Sequence, residues 1–384
     1  MKIAIFTLRG EFNYGNLLQS FALQKVLRDF GAEVEFLNRR KNYPSVKLFC
    51  TRIVSIFKCI FRRYLLRNKD IVVNSPFAED YLIYKKDRID NAYLIAFTKR
   101  YLNVSKRLCS TNEMAKYAKK SNFDCYVVGS DQVWREFYVP NIEDYFLGFL
   151  PKDFHGKRIA YAASFGTYDH PISDENLGKC IQLAKTFDAI SVREQGAVKY
   201  MEEAFHINAT HVLDPTLLLK KEVYETLIED KDSNNTFGLV SYILDETDEK
   251  DSIISYCAST LNLSRSAFFS KEKNDQGIVK YKSVSEWLSC FKNAQFVVTD
   301  SFHGCVFSII FQKDFIVIGN AERGMDRFTS LLNLLGLQDR LVLSYKDFVL
   351  RKEMLLRGIN YNEVKISLER CKKNSLDFLS RALF

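Results

Sequence analysis

The sequence predicts an α/β protein of two Rossmann-like domains facing each other across a cleft. Three observations carry that expectation. First, the chain opens as strand, helix, strand. Lys2 to Thr7 alternates as a strand, and Asn13 to Phe30 places Leu17, Leu18, Phe21, Leu27 and Phe30 at helical spacing. Gly31 then stops the helix and Glu33 to Leu37 forms the next strand. Such a βαβ unit implies parallel pairing and a right-handed crossover. Second, the later strands end in small or polar residues, as the ligand-binding edge of an open parallel sheet does. Third, Lys231-Asp232-Ser233-Asn234-Asn235 reads as a polar linker, and the strand–helix pattern restarts after it. The expected domains are 1–230 and 236–384.

Composition narrows the class. A 384-residue chain with 47% hydrophobic residues, 6 Pro and 16 Gly is neither disordered nor collagen-like, and it can fill two cores. Nine scattered cysteines offer no Cys-x-x-Cys pair and there are five histidines, so no metal or redox site is indicated. Those thiols read as buried and reduced, which fits a cytoplasmic protein. Ile3 to Leu8 is too short for a signal peptide, and no run of ~18 uncharged apolar residues is present to span a membrane.

In the first domain, the loop Arg9-Gly10-Glu11-Phe12-Asn13-Tyr14-Gly15-Asn16 lies at the carboxyl end of strand one. It lacks the Gly-x-Gly-x-x-Gly pattern of a dinucleotide site. Residues 41–120 read as a mostly helical, basic and aromatic insertion. Strands then end in Gly129-Ser130-Asp131, in Ser164-Phe165-Gly166 and at Arg193, and Asp214-Pro215 follows Val212-Leu213. In the second domain, strands over Phe237–Leu244, Gln295–Val298 and Phe315–Ile318 alternate with helices over Ile253–Leu261 and Val284–Phe291. The last helix, 362–383, is a candidate to cross back to the first domain.

The richest stretch chemically is Thr299-Asp300-Ser301-Phe302-His303-Gly304, between a buried strand and the apolar helix Cys305–Phe311. Ser301 then stands at an N-cap, with His303 and Gly304 in the first turn, where free N–H groups and the helix dipole favour anions. Arg193 suits bidentate contact with a phosphate or carboxylate. Plain structural roles compete. Ser301 could simply cap its helix, and Arg193 could pair at the surface with Glu194 or Asp188. Asp300 could brace a strand end, Asp214 could make a turn, and Trp134 could be core.

Six segments, taken in order, resemble the polysaccharide pyruvyltransferase family. They are Asn13-Tyr14-Gly15 with Leu18-Gln19 and Ala22-Leu23-Gln24, Val128 to Trp134, Tyr161 to Gly166, Ser191 to Glu194, Val212 to Thr216, and Thr299 to Gly304. Together they span the chain apart from 41–120. The resemblance implies a fold like that of two-domain (GT-B-like) glycosyltransferases. It also implies transfer of a pyruvyl group from phosphoenolpyruvate to two hydroxyls of a sugar, giving a cyclic ketal and phosphate. The acceptor is then a polysaccharide or a lipid-linked oligosaccharide, and no cofactor or metal is required. On that reading His303, Arg193 and Asp131 are the catalytic candidates. Asn13, Tyr14, Gly15, Gly129, Ser130, Ser164, Asp300, Ser301, Gly304, Arg323 and Arg327 are substrate-binding candidates, and Asp214 and Asp300 are further possible bases.

Two other functions stay open: a nucleotide-sugar-dependent glycosyltransferase, and a non-catalytic binding protein of a glycan-assembly complex. Between Arg39 and Lys69 lie ten basic and no acidic residues. No nucleic-acid motif accompanies this charge. The helical stripe within 47–67 is a candidate for the inner leaflet of a membrane, against a plain packed helix.

Overall fold

The computed structural model describes residues 1–8, 13–40, 46–65, 90–233, 236–273, 279–319 and 324–384. Strands β1 (Lys2–Phe6), β2 (Glu33–Arg39), β3 (Val104–Leu108), β4 (Cys125–Asp131), β5 (Lys157–Ala163), β6 (Ala189–Val192) and β7 (Thr210–His211) form one sheet. Their order is β3-β2-β1-β4-β5-β6-β7, and all pairs are parallel. A second parallel sheet contains β8 (Phe237–Tyr242), β9 (Arg265–Ala267), β12 (Ala294–Thr299), β13 (Asp314–Ile318) and β14 (Leu341–Val342). It runs β14-β13-β12-β8-β9. A small antiparallel ribbon of β10 (Lys271–Lys273) and β11 (Val279–Tyr281) hangs beside it.

Central strands are apolar on both faces, as parallel sheets between helices require. Alternate residues serve different cores. Ile3, Ile5, Cys125, Val127, Val297 and Val317 enter one core shared by both domains. Ala4, Phe6, Tyr126 and Val128 line the far side of the first sheet, and Phe296, Val298, Ile316 and Ile318 that of the second. The shared core holds the domains together around α1 (Tyr14–Asp29). Tyr14 is its wedge. Its hydroxyl donates to the Lys282 carbonyl at 2.9 Å, and its ring stacks on Trp287.

Two expectations need correction. Residues 41–120 are not one helical insertion. After α2 (Val46–Ile60), its π-helical extension Phe61–Leu65 and α3 (Ala92–Tyr101), β3 joins the first sheet, and α4 (Thr111–Ser121) leads on to β4. The strand was hidden because it lies at the sheet's edge and exposes Lys106 and Arg107, so its pattern is polar. The proposed linker is partly a helical turn, Asp230–Ser233. Asp232 is buried, and its carboxylate and carbonyl accept from Ser285 and Ser289. Polar residues there satisfy a partner helix, which local composition does not reveal.

The helix at the C-terminus, Tyr361–Leu383, does run onto the first domain. Ser375 Oγ accepts from Leu213 N at 3.0 Å, and Phe378 meets Tyr161. Among the described residues no helix is long and apolar enough to cross a membrane.

Candidate active site

Order in the first sheet reverses between β1 and β4, so a crevice opens beyond their carboxyl ends. Helix α1 starts over it. Asn13 is its cap, with Oδ1 accepting from Asn16 N at 3.2 Å. From the second domain the helix Phe302–Ile310 starts over the same place, where Ser301 Oγ accepts from Gly304 N at 3.3 Å. The two helix starts nearly touch: a Cβ on Gly15 would lie 2.0 Å from His303 Nδ1. Both positive dipole ends thus face one spot.

Beneath that spot lies a charged cluster. Arg193 is only 4% exposed; its Nε donates to Glu194 at 3.0 Å and its Nη1 to Asp214 Oδ2 at 3.0 Å. Nη2 stands 3.5 Å from Asp131 Oδ1, and the guanidinium lies over the Phe302 ring. Asp214 is fully committed, since Ser130 Oγ and both donors of Thr216 also bond to it. His303 Nε2 is 3.8 Å from the same Asp214 oxygen that holds Arg193. Asn16 Nδ2 donates to Asp131 Oδ2 at 3.0 Å. The Arg327 guanidinium also lies over the Phe302 ring, 5.6 Å from its centroid.

Charge states follow from burial and neighbours. Burial pushes the His303 imidazole below its usual value and outweighs the pull of Asp214 and Asp131, so the ring is neutral at pH 7. Burial opposes ionisation of Asp131 and Asp214 too, but the Arg193 guanidinium, joined at acid pH by protonated His303, prevails and holds both below the usual carboxylate range. Burial and the neighbouring Arg193 bring Arg327 down to about 10. Burial dominates at Glu194 and pushes it up despite Arg193 and Arg327. Around this crevice the buried atoms Asn16 Oδ1, Gln19 Oε1, Arg193 Nη2, Glu194 Oε2 and His303 Nε2 have no hydrogen-bond partner among the described residues. Each such atom costs ~1–3 kcal/mol, which a ligand with acceptors and donors would recover.

The structure therefore gathers His303, Arg193, Asp131, Ser130, Ser301, Gly15 and Arg327 around one crevice. The surface pair considered for Arg193 is instead a buried ion network. Other expected contacts are placed differently. Tyr14 is the interdomain wedge. Asn13 is exposed and caps α1. Gly129 has no room for a side chain because Leu23 lies 2.7 Å from its Cβ position. Gly304 is needed for packing on Thr299, whose Oγ1 would be 2.3 Å from a Cβ. Ser164 Oγ accepts from Gly166 N. Asp300 is spent on Leu244 N, Asp245 N and Lys250 Nζ at 2.7, 3.1 and 2.8 Å. Trp134 is core, stacked on Phe146. Arg323 and loop residues 9–12 lie outside the described residues.

Sequence reasoning missed Asn16, Glu194 and Phe302. Asn16 stood in the marked loop, but its partner Asp131 is 115 residues away. Phe302 was hidden as an apolar residue, although its ring faces two guanidinium groups. Among the described residues no three His, Cys, Asp or Glu side chains are grouped to hold a metal.

The whole fold is similar to UDP-GlcNAc 2-epimerase from Neisseria meningitidis bound to UDP-GlcNAc, with a TM-score of 0.54 and 9% identity over 99% of this chain and 100% of that one. A putative UDP-N-acetylglucosamine 2-epimerase from Listeria monocytogenes aligns with 97% of this chain and 90% of its own, at TM-score 0.49 and 10% identity. At 9% identity the likeness to the Neisseria meningitidis enzyme is one of fold alone: two α/β domains of the GT-B-like kind. A search of curated proteins finds no match. Residues 13–322 match the family described as polysaccharide pyruvyl transferase, a range that holds every crevice residue named above except Arg327, so the chain belongs to the polysaccharide pyruvyl transferase family.

Proposed function

We propose that the crevice transfers a pyruvyl group from phosphoenolpyruvate to two hydroxyls of one saccharide, with the donor held by Arg193, Arg327 and the two helix starts. One observation carries this reading. Arg193 and His303, from opposite domains, converge on a single oxygen of Asp214 under two positive helix ends. That place suits a ligand bearing both a phosphate and a carboxylate.

The chemistry balances as follows. The methylene carbon of the donor takes a proton, leaving an oxocarbenium-like centre. The first acceptor hydroxyl attacks it and gives up its proton; the C–O bond to phosphate breaks; the second hydroxyl closes the ketal and its proton leaves with phosphate. His303 is the acid. Asp131 is the base for a hydroxyl, because its side chain keeps 15% exposure while that of Asp214 keeps 1%. Asp214 is a positioning residue that holds Arg193 and faces His303. The scheme draws on no metal.

The nucleotide-sugar alternative loses ground at the second sheet. Its order reverses between β12 and β8, and there both oxygens of Asp300 are already taken by Lys250 Nζ and two backbone N–H groups, so this buried carboxylate beside a pocket lined by Asp245, Lys250, Gly319 and Tyr345 is not free to hold a ribose. A non-catalytic role loses ground because Arg193 and His303 meet. We place the enzyme in the cytoplasm, acting on saccharides that include lipid-linked ones. Calorimetry with phosphoenolpyruvate and with nucleotide sugars, followed by phosphate release with a saccharide panel, tests the reading. Saturable nucleotide-sugar binding without phosphoenolpyruvate binding overturns it.

A further inference from the structure

Helix α2 and its extension Phe61–Leu65 differ from the other α-helices of more than one turn among the described residues: no residue from 51 to 65 is buried. Large apolar side chains stand in water there, with Val54 53%, Phe57 67%, Phe61 52%, Tyr64 70% and Leu65 70% exposed. At intervals of three and four residues, Val54, Phe57, Phe61 and Leu65 form one stripe. Lys58 and Arg62 border it, and Val54, Phe57, Lys58, Phe61 and Arg62 line a shallow apolar depression. Arg52 and Arg63 add charge elsewhere on the helix, and no acidic residue occurs from 46 to 65. Of the 47–67 segment, the side chains of Lys47 and Phe49 and the whole of Arg67 lie outside what the structure describes.

We infer that this helix lies on an anionic lipid bilayer, with its apolar stripe among the acyl chains and its basic border at the headgroups. A stripe of exposed Phe, Val and Leu bounded by one sign of charge matches a surface that is apolar within and negative at its rim. A second copy of the chain fits badly, because a two-fold contact would set Lys58 and Arg62 against their like-charged equivalents. Single-stranded nucleic acid would meet the charges but leave the aliphatic part of the stripe in water. Position adds to the argument. The segment follows the carboxyl end of β2, neighbour of β1 on the edge that carries the crevice.

The inference stands apart from pyruvyl transfer, and its test keeps the two separable. The full chain is floated with vesicles of phosphatidylcholine alone, or with about a third phosphatidylserine, at low and high salt. It is expected to rise only with phosphatidylserine at low salt. Phe57→Ser with Phe61→Ser should lower vesicle affinity at least ~10-fold, with phosphoenolpyruvate affinity unchanged. Lys58→Glu with Arg62→Glu should do the same, since each charge near the surface is worth about fivefold. This variant keeps the apolar stripe whole and decides the matter if the serine variant fails to fold. A chain that stays at the bottom at low salt overturns the inference. So does flotation indifferent to Phe57 and Phe61, a dimer that dissolves in the serine variant, or tighter capture by single-stranded nucleic acid than by vesicles.

Discussion

The two sheets each reverse their strand order once, and each reversal opens a crevice at the carboxyl edge. The crevices are built differently. In the second, both oxygens of Asp300 are engaged by Leu244 N, Asp245 N and Lys250 Nζ. In the first, Asn16, Gln19, Arg193, Glu194 and His303 each keep a buried polar atom without a hydrogen-bond partner among the described residues. Buried polar groups in a finished core are paired. Asp300 in the second crevice therefore serves structure, whereas the first crevice carries the polar atoms that a ligand would use.

One pair of substitutions breaks or sharpens that contrast. His303→Gln should lower turnover ~10²–10⁴-fold, the usual worth of general acid–base help, and change the donor's Kd far less. Asp300→Ala should do the opposite. It leaves Lys250 and two backbone donors without their carboxylate, a loss of ~3–5 kcal/mol for a broken buried pair. Chemical denaturation should show that loss, while phosphoenolpyruvate affinity per folded molecule stays unchanged. If Asp300→Ala instead abolishes donor binding in a stable protein, the second crevice is part of the site.

Next in size is Gly15→Ala. The new methyl group would overlap the His303 ring, so α1 or His303 must move. Displacing a catalytic group by about 1 Å costs on the order of 10²-fold in rate. Gly178→Ala supplies the baseline, since nothing lies within 4 Å of its Cβ position in the helix Asp174–Ala184. That change should stabilise by ~0.5–1 kcal/mol and leave the rate alone. Equal rates for both variants would mean that the Gly15–His303 contact does not matter to turnover.

What was legible in the sequence is what local order encodes. Strand, turn and helix in succession placed the Ser301 cap, His303 in the first helical turn and the strand-end Arg193 with no knowledge of partners, whereas the burial of His303 was not legible. The illegible part depends on distance along the chain. Lys250 lies 50 residues from Asp300, and Ser270 and Lys282 lie more than 250 from Tyr14. No periodicity announces such pairs, so Asp300 and Tyr14 read as ligand contacts. Edge strand β3 was lost for another reason: solvent on its rim erased the apolar pattern. The network at Arg193 also changes what its removal means. Arg193→Ala would strand Glu194, Asp214 and Asp131, so a fall in stability accompanies any loss of donor affinity.

The smallest expected effect concerns protons. In the ligand-free crevice His303 is neutral at pH 7, and carboxylates outnumber charged arginines unless Glu194 is protonated. A donor carrying phosphate and carboxylate adds negative charge there, which favours the imidazolium. Binding should therefore draw a proton onto His303 and create the acid only when the donor is present. Titration calorimetry at pH 7.5 in buffers of different ionisation enthalpy should reveal proton uptake, and His303→Gln should reduce it. The free protein carries the matching signature. Its His303 titrates below the ~6.5 of an unfolded chain, so the unfolded state binds the extra proton first. Stability due to this group is then complete above that pH and is lost as pH falls through ~6.5 toward the lowered native value. His303→Gln should flatten that limb of the pH–stability curve. Heats that do not depend on the buffer, or the same uptake in His303→Gln, would show that His303 stays neutral in the complex and that the proton for the methylene carbon comes from another group.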